Sequence, residues 1–168
     1  SASVTIEDYE TGEVTISGPT SVNESGGDQT LTYTVSLSGP SEVPVEVHVK
    51  TTDGSASATL GDYDAVDQTI TIPANTTAAP STTFTVVVKD DALVEAPETL
   101  AVELVSVVPN DGVSVSLGAA DSVDLTIHDD DTATLSVEAA AATVSEGDSH
   151  ATFTIKLSGA VEVPVTVG

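Results

Sequence analysis

The sequence has no cysteine, methionine, tryptophan or arginine, and only three lysines in 168 residues. Without cysteine there is no disulfide framework and no thiolate for zinc, and three scattered histidines do not replace it. Three cations stand against 27 acidic residues, a net charge of -24. Nucleic-acid binding needs cationic phosphate contacts that this chain cannot supply, and an anionic membrane surface is excluded on the same ground. With two Phe and three Tyr there is no aromatic platform for a sugar. No nucleophile stands at a recognisable spacing from a histidine or carboxylate, so no enzymatic activity is expected. No apolar run approaches the roughly 20 residues that cross a bilayer, so direct membrane insertion is not expected. No segment has the pattern of a secretion signal, and an export signal is expected outside this stretch.

What the chain does have is Val, Leu, Ile, Thr and Ser, with eight Pro and twelve Gly, a composition that suits strands and turns. Apolar residues alternate at Leu31-Tyr33-Val35-Leu37, at Val43-Val45-Val47-Val49, and at Ile70-Ile72 before Pro73. They do so again at Phe84-Val86-Val88, Leu100-Val102-Leu104 and Val123-Leu125-Ile127. Ser38-Gly39-Pro40-Ser41 reads as a turn, and Val113–Leu117 as a weaker extra strand or loop insertion. About seven short strands predict an all-β, antiparallel immunoglobulin-like β-sandwich. No segment carries a helical stripe, and residues 91–98 have room for one helical turn at most.

The chain repeats itself. Leu125-Thr126-Ile127-His128-Asp129-Asp130-Asp131-Thr132 stands 121 residues after Val4-Thr5-Ile6-Glu7-Asp8-Tyr9-Glu10-Thr11. Leu157-Ser158-Gly159-Ala160-Val161-Glu162-Val163-Pro164-Val165 stands 120 after Leu37-Ser38-Gly39-Pro40-Ser41-Glu42-Val43-Pro44-Val45. Val144-Ser145-Glu146 matches Val22-Asn23-Glu24. Residues 1–10 therefore read as the last strand of one repeat, 11–131 as a complete repeat and 132–168 as the opening strands of the next, a tandem array. Unpaired edges at both ends recruit strands, so the expected partners are neighbouring repeats, or other copies of the chain by strand pairing.

Acidic residues collect at strand ends: Glu24, then Asp62, then Asp90-Asp91, then Glu95 and Glu98, and finally Asp129-Asp130-Asp131. Two like charges about 4 Å apart repel by roughly 4 kcal/mol at an effective dielectric of about 20. Three adjacent carboxylates are tolerable if each faces water or if a cation sits among them. Calcium takes six to eight oxygens and suits loops at a sandwich end. No twelve-residue helix–loop–helix calcium loop or glycine-rich nonapeptide is present. Spacing alone leaves open whether these groups share one end or are merely a solvated acidic surface.

As a set, the motifs of 11–131 resemble the Calx-β domain, known from sodium–calcium exchangers, an integrin subunit and tandem arrays in large bacterial surface proteins. The resemblance lies in Asp53-Gly54-Ser55-Ala56, Gly61-Asp62-Tyr63, Thr69-Ile70-Thr71-Ile72-Pro73, Val88-Lys89-Asp90-Asp91 through Glu95-Ala96-Pro97-Glu98-Thr99-Leu100, and Thr126–Asp131. In calcium-binding members a cluster of ions sits at one end of the sandwich, beside the junction to the next domain. The resemblance implies Ca2+ as cofactor, with Glu24, Asp62, Asp90, Asp91, Glu95, Glu98, Asp129, Asp130 and Asp131 as ligands. Ala92 stands where the family often has a third Asp, and the insertion around 107–120 is long. Asp53, before a glycine, is expected to shape a turn, and His48 and His128 to point outward.

The function this implies is a calcium-stiffened spacer in a long extracellular or cell-surface protein such as an adhesin or filament, whose adhesive target lies elsewhere. Alternatives are a regulatory calcium sensor like the exchanger domains, and a passive acidic spacer.

Overall fold

Valine, isoleucine and leucine recur at alternate positions through most of residues 11–128, and each such run lies in a strand. The structure, a computed structural model, describes residues 3–4, 11–109, 114–148 and 150–168. The closing strand expected at residues 1–10 lies outside the described residues apart from Ser3 and Val4, and so does Val113.

In chain order the strands of residues 11–128 are β1 (Thr11–Ser17), β2 (Ser21–Asn23), β3 (Gln29–Leu37), β4 (Val45–Asp53), β5 (Asp67–Ile72), β6 (Ser81–Val88), β7 (Leu93–Val94), β8 (Glu98–Pro109), β9 (Ser114–Leu117) and β10 (Ser122–His128). Two sheets, ordered β6-β3-β1-β9 and β2-β10-β8-β4-β5, form an immunoglobulin-like β-sandwich. The count exceeds the expected seven, and two contacts are parallel: β1 with β9 and β2 with β10. The β2–β10 contact arises because the apolar run Val14, Ile16 and Val22 is split between the two sheets. At Gly18 an added Cβ would come within 2.3 Å of the Tyr33 ring. Pro19 has no N–H to donate, and its carbonyl accepts the Tyr33 hydroxyl at 3.0 Å. The chain therefore leaves the first sheet after β1 and enters the second as β2. The 114–117 run is a true strand that takes the edge beside β1, while the 91–98 stretch forms β7 and no helical turn.

Between the sheets lie Val14, Ile16, Tyr33, Val35, Val47, Phe84, Val86, Val102, Leu125 and Ile127, all buried. Each buried side chain of this size contributes about 1.5–3 kcal/mol relative to exposure, which holds the strands in register. Tyr33 and Phe84 stack with centroids 5.8 Å apart. A bulge between His48 and Val49 leaves Val105 without a partner and bends β8. Topology fixes two poles. Leu37 pairs with Val14 at the pole where the chain enters, which also carries the 38–41 turn and the start of β9. Gln29 pairs with Val88 at the other, where β2, β6 and β10 end and β8 begins.

Beyond residue 131 the chain forms β11 (Leu135–Ala139), β12 (Phe153–Leu157) and β13 (Ala160–Val161). β11 and β12 pair antiparallel with each other, whereas β13 pairs in parallel with β7 of the first unit.

Candidate metal centre

The pole where β10 ends gathers the acidic residues, each put there by its own piece of backbone. The parallel β2–β10 register sets Asn23 against His128, and the next N–H, that of Glu24, donates to the His128 carbonyl at 2.9 Å. Glu24 thus lies beside Asp129 with its side chain turned inward, and it is only 6% exposed. Asp62 sits in the β4–β5 loop, where the N–H groups of Leu60, Gly61 and Asp62 all point at the Ser57 carbonyl. Gly61 makes this loop possible, with φ at +112°, and Asp62 Oδ2 accepts the Ser57 N–H at 2.6 Å. The same loop lies against the start of β8: a Cβ on Gly54 would come 2.4 Å from the Thr99 carbonyl oxygen.

Asp90 and Asp91 follow β6. Asp90 Oδ2 accepts the Gly27 N–H at 2.8 Å, and Asp91 Oδ1 accepts that of Leu93 at 2.7 Å. Asp129 ties two loops together, since its carboxylate accepts the Glu95 N–H at 2.9 Å and the Asp131 N–H at 3.0 Å. Carboxylate oxygens of Asp62, Glu95 and Glu98 lie within 4.8 Å of one another, and so do those of Asp129, Asp130 and Asp131. All nine acidic residues expected from the sequence stand at this one pole.

Burial, and then mutual repulsion, raise four of these groups, Glu24, Glu95, Glu98 and Asp131. Burial pushes Glu24 up to about 7, helped by the negative charges of Glu95, Asp91, Asp129 and Asp62. Glu95 is raised to about 7 by burial and then by Asp62, Asp91, Glu162 and Asp129. Glu98 is raised to about 7 by burial and then by a hydrogen bond with Asp62 and the charges of Asp62, Glu95 and Glu162. Asp131 is raised by burial and by Asp129, Asp130, Asp90 and Asp91. Around Glu24 the acting groups are other carboxylates, and among the described residues no donor reaches its side chain. No side-chain oxygen among the described residues is both fully buried and unpartnered, so the Glu24 carboxylate keeps some contact with solvent while it bears the charge of its neighbours.

The donors are all oxygen, which suits a hard cation. Loop carboxylates in this number fit the six to eight flexible ligands of calcium better than the strict octahedron of magnesium. Histidine side chains stay out of it: His48 pairs with Asp67 on β5 at 2.6 Å, and His128 is exposed. Asp53 shapes the loop, accepting hydrogen bonds from Ser57 Oγ at 3.0 Å, the Ala58 N–H at 3.2 Å and the Tyr63 hydroxyl. The described parts of the long 107–120 insertion, residues 107–109 and 114–117, pair at the other pole, away from the cluster.

One carboxylate at this pole was not anticipated. Glu162, from the following unit, lines a cavity of about 360 Å³ together with Asp62, Asp91, Glu95 and Glu98. Its signal was the recurrence of Glu42 and Glu162 at matching places in the two turns.

The sequence model of the Calx-beta domain matches residues 8–131 and, a second time, residues 128–168. CBD12 from CALX1.2 shares the fold with a TM-score of 0.59 at 23% identity, over 71% of this chain and 44% of that one. The apo-form Calx CBD1 domain does so with a TM-score of 0.56 at 24% identity, over 71% of this chain and 99% of its own. The calcium binding domain CBD12 of CALX1.1 gives 0.57 at 25% identity, over 71% and 45%. This chain thus spans less than half the length of the two CBD12 chains. No curated protein sequence matches it. With one domain model accounting for the whole sandwich and again for the strands after it, the chain belongs to the Calx-beta domain family.

Proposed function

We propose that this chain is a calcium-binding repeat module of a long extracellular protein, stiffened at the junction between repeats by ions held at the β10 pole. The observation that carries this reading is Glu24, only 6% exposed and ringed by carboxylates with no donor in reach among the described residues. Glu24, Asp62, Asp90, Asp91, Glu95, Glu98 and Asp129–Asp131 would hold the cation, which supplies the positive charge the site lacks. Binding to the folded arrangement and not to the unfolded chain stabilises it by mass action, by about 2.7 kcal/mol per site at a hundredfold excess over Kd. Asp129–Asp131 run straight into Thr132, so a filled site restrains the link to the next repeat, whereas an empty one lets like charges push it open.

The similarity to the calcium binding domain CBD12 of CALX1.1 favours a second reading, a reversible regulatory sensor. Affinity separates the two, since sensors work at about 10⁻⁷–10⁻⁵ M and extracellular modules at about 10⁻⁴–10⁻³ M. The direct test is thermal unfolding with and without calcium, beside a variant carrying Asp90→Asn and Asp91→Asn. A calcium-dependent rise in Tm that disappears in the variant is expected. No rise in either protein leaves a passive acidic spacer.

A further inference from the structure

We infer that Glu162 of the following repeat completes the cation site of the repeat before it, so that filling the site and docking the two repeats are a single event. The inference rests on the calcium reading above and deepens it. β13 lies parallel to β7, with Ala160 against Leu93 and Val161 against Val94. The Glu162 N–H then donates to the Val94 carbonyl at 3.1 Å, which carries the side chain to the mouth of the cavity lined by Asp62, Asp91, Glu95 and Glu98. Its charge bears on both Glu95 and Glu98.

A two-residue strand contact is a weak anchor, and pushing one more carboxylate among four others opposes it. A cation reverses the sign of that interaction. Independently, Glu24, only 6% exposed, lies within the field of Glu95, Asp91 and Asp62 of this lining, and positive charge is missing there. The array would then have a direction. Glu42, exposed in the matching turn at the opposite pole, is the donor this repeat offers to the one before it. Each repeat gives one carboxylate backward and receives one from ahead. By linkage, whatever factor Glu162 adds to cation affinity, the cation adds to docking.

The test uses the full 168-residue chain and calcium alone, comparing wild type with Glu162→Gln, Glu46→Gln and Asp62→Asn. Calcium affinity is measured by titration calorimetry, and docking by the distance between spin labels on β6 and β12. Glu162→Gln is exposed and leaves the fold intact. It is expected to weaken the tightest site about tenfold, the loss of one charge-assisted ligand, and to keep the label distance broad in calcium. Glu46→Gln, the same change at an exposed position of β4 outside any proposed site, should match wild type in both readouts. If Glu162→Gln equals wild type while Asp62→Asn loses binding, the inter-repeat ligand is overturned and the calcium reading stands. If wild type binds no calcium, both fall.

Discussion

Two strand pairs in this chain share pattern and register, yet only one is buried. In the first, Val14 faces Leu37 and Ile16 faces Val35. In the second, Leu135 faces Leu157 and Val137 faces Ile155, the matching residues one repeat later. Ile16 is 4% exposed and Val137 62%; Tyr33 is fully buried, while Phe153 at its place is 62% exposed. Alternation therefore settles pairing locally, but burial comes from strands distant in sequence, here β8 and β10 of the opposite sheet. The acidic residues obey the same rule. Glu24 is buried because β2 pairs with β10, and Glu146, at the matching place without such a partner, is exposed. A site of this kind belongs to the closed sandwich and not to the motif.

The sharpest way to break the comparison is to truncate the same ring in both places. Tyr33→Ala removes a fully buried aromatic that stacks on Phe84 and hydrogen-bonds the Pro19 carbonyl. It should destabilise the first unit by about 3–5 kcal/mol. Phe153→Ala removes an exposed ring and should stay within about 0.5 kcal/mol. Urea unfolding followed by tyrosine fluorescence or circular dichroism measures both. Equal effects would mean that the second pair is buried in solution, against the structure.

The next effect is smaller and concerns pH. In the calcium-free protein Glu24, Glu95 and Glu98 titrate near 7, mainly through burial, against about 4.5 when unfolded. The folded state binds more protons across that window, so stability is complete below about 4.5 and is lost as pH rises through about 7. Without calcium, Tm should fall between pH 5 and pH 7.5. With calcium the slope should flatten or invert, because the cation competes with the protons. Glu24→Gln removes part of the calcium-free slope, and Glu146→Gln, on the exposed counterpart, serves as the control that leaves it unchanged. A calcium-free Tm that climbs over this range would contradict the crowding of these groups.

Much of this arrangement was legible in the residues. Period-two alternation marked β3, β4, β5, β6, β8 and β10 but not β1 or β2, and the offset repeats marked the end of one repeat, a complete one and the opening of the next. Strand-end position picked out all nine acids that the fold brings to one pole. Alternation reports which face a residue takes and says nothing about its partner, so the split of the first run at Gly18-Pro19 and the parallel β2–β10 pairing were not visible. That pairing is what buries Glu24. The β9 edge was only half legible, because a four-residue run carries too little pattern to separate strand from loop. Glu162 stayed hidden for another reason: its role depends on the docking of one repeat on another, which no property of its own turn reports. Only its recurrence opposite Glu42 pointed at it.

The smallest contrast is between two lysines. Lys89 follows β6 and bridges Asp28 at 3.0 Å and Asp64 at 2.9 Å, one residue before Asp90. Lys156 pairs with Glu138 at 2.6 Å on the exposed β11–β12 pair. Both pairs are largely solvated, so neither should add much to stability. Their distance from the carboxylate cluster is what separates them. Lys89 holds none of the nine acids, yet it sets a positive charge beside them and partly cancels the field that draws a cation in. Lys89→Met should therefore tighten calcium binding by about twofold at low ionic strength, an advantage that fades as salt shortens the Debye length. Lys156→Met should leave calcium affinity unchanged at any salt concentration. If Lys89→Met instead weakens calcium binding, the lysine orders the Asp90 loop through Asp28, and its mechanical role outweighs its charge.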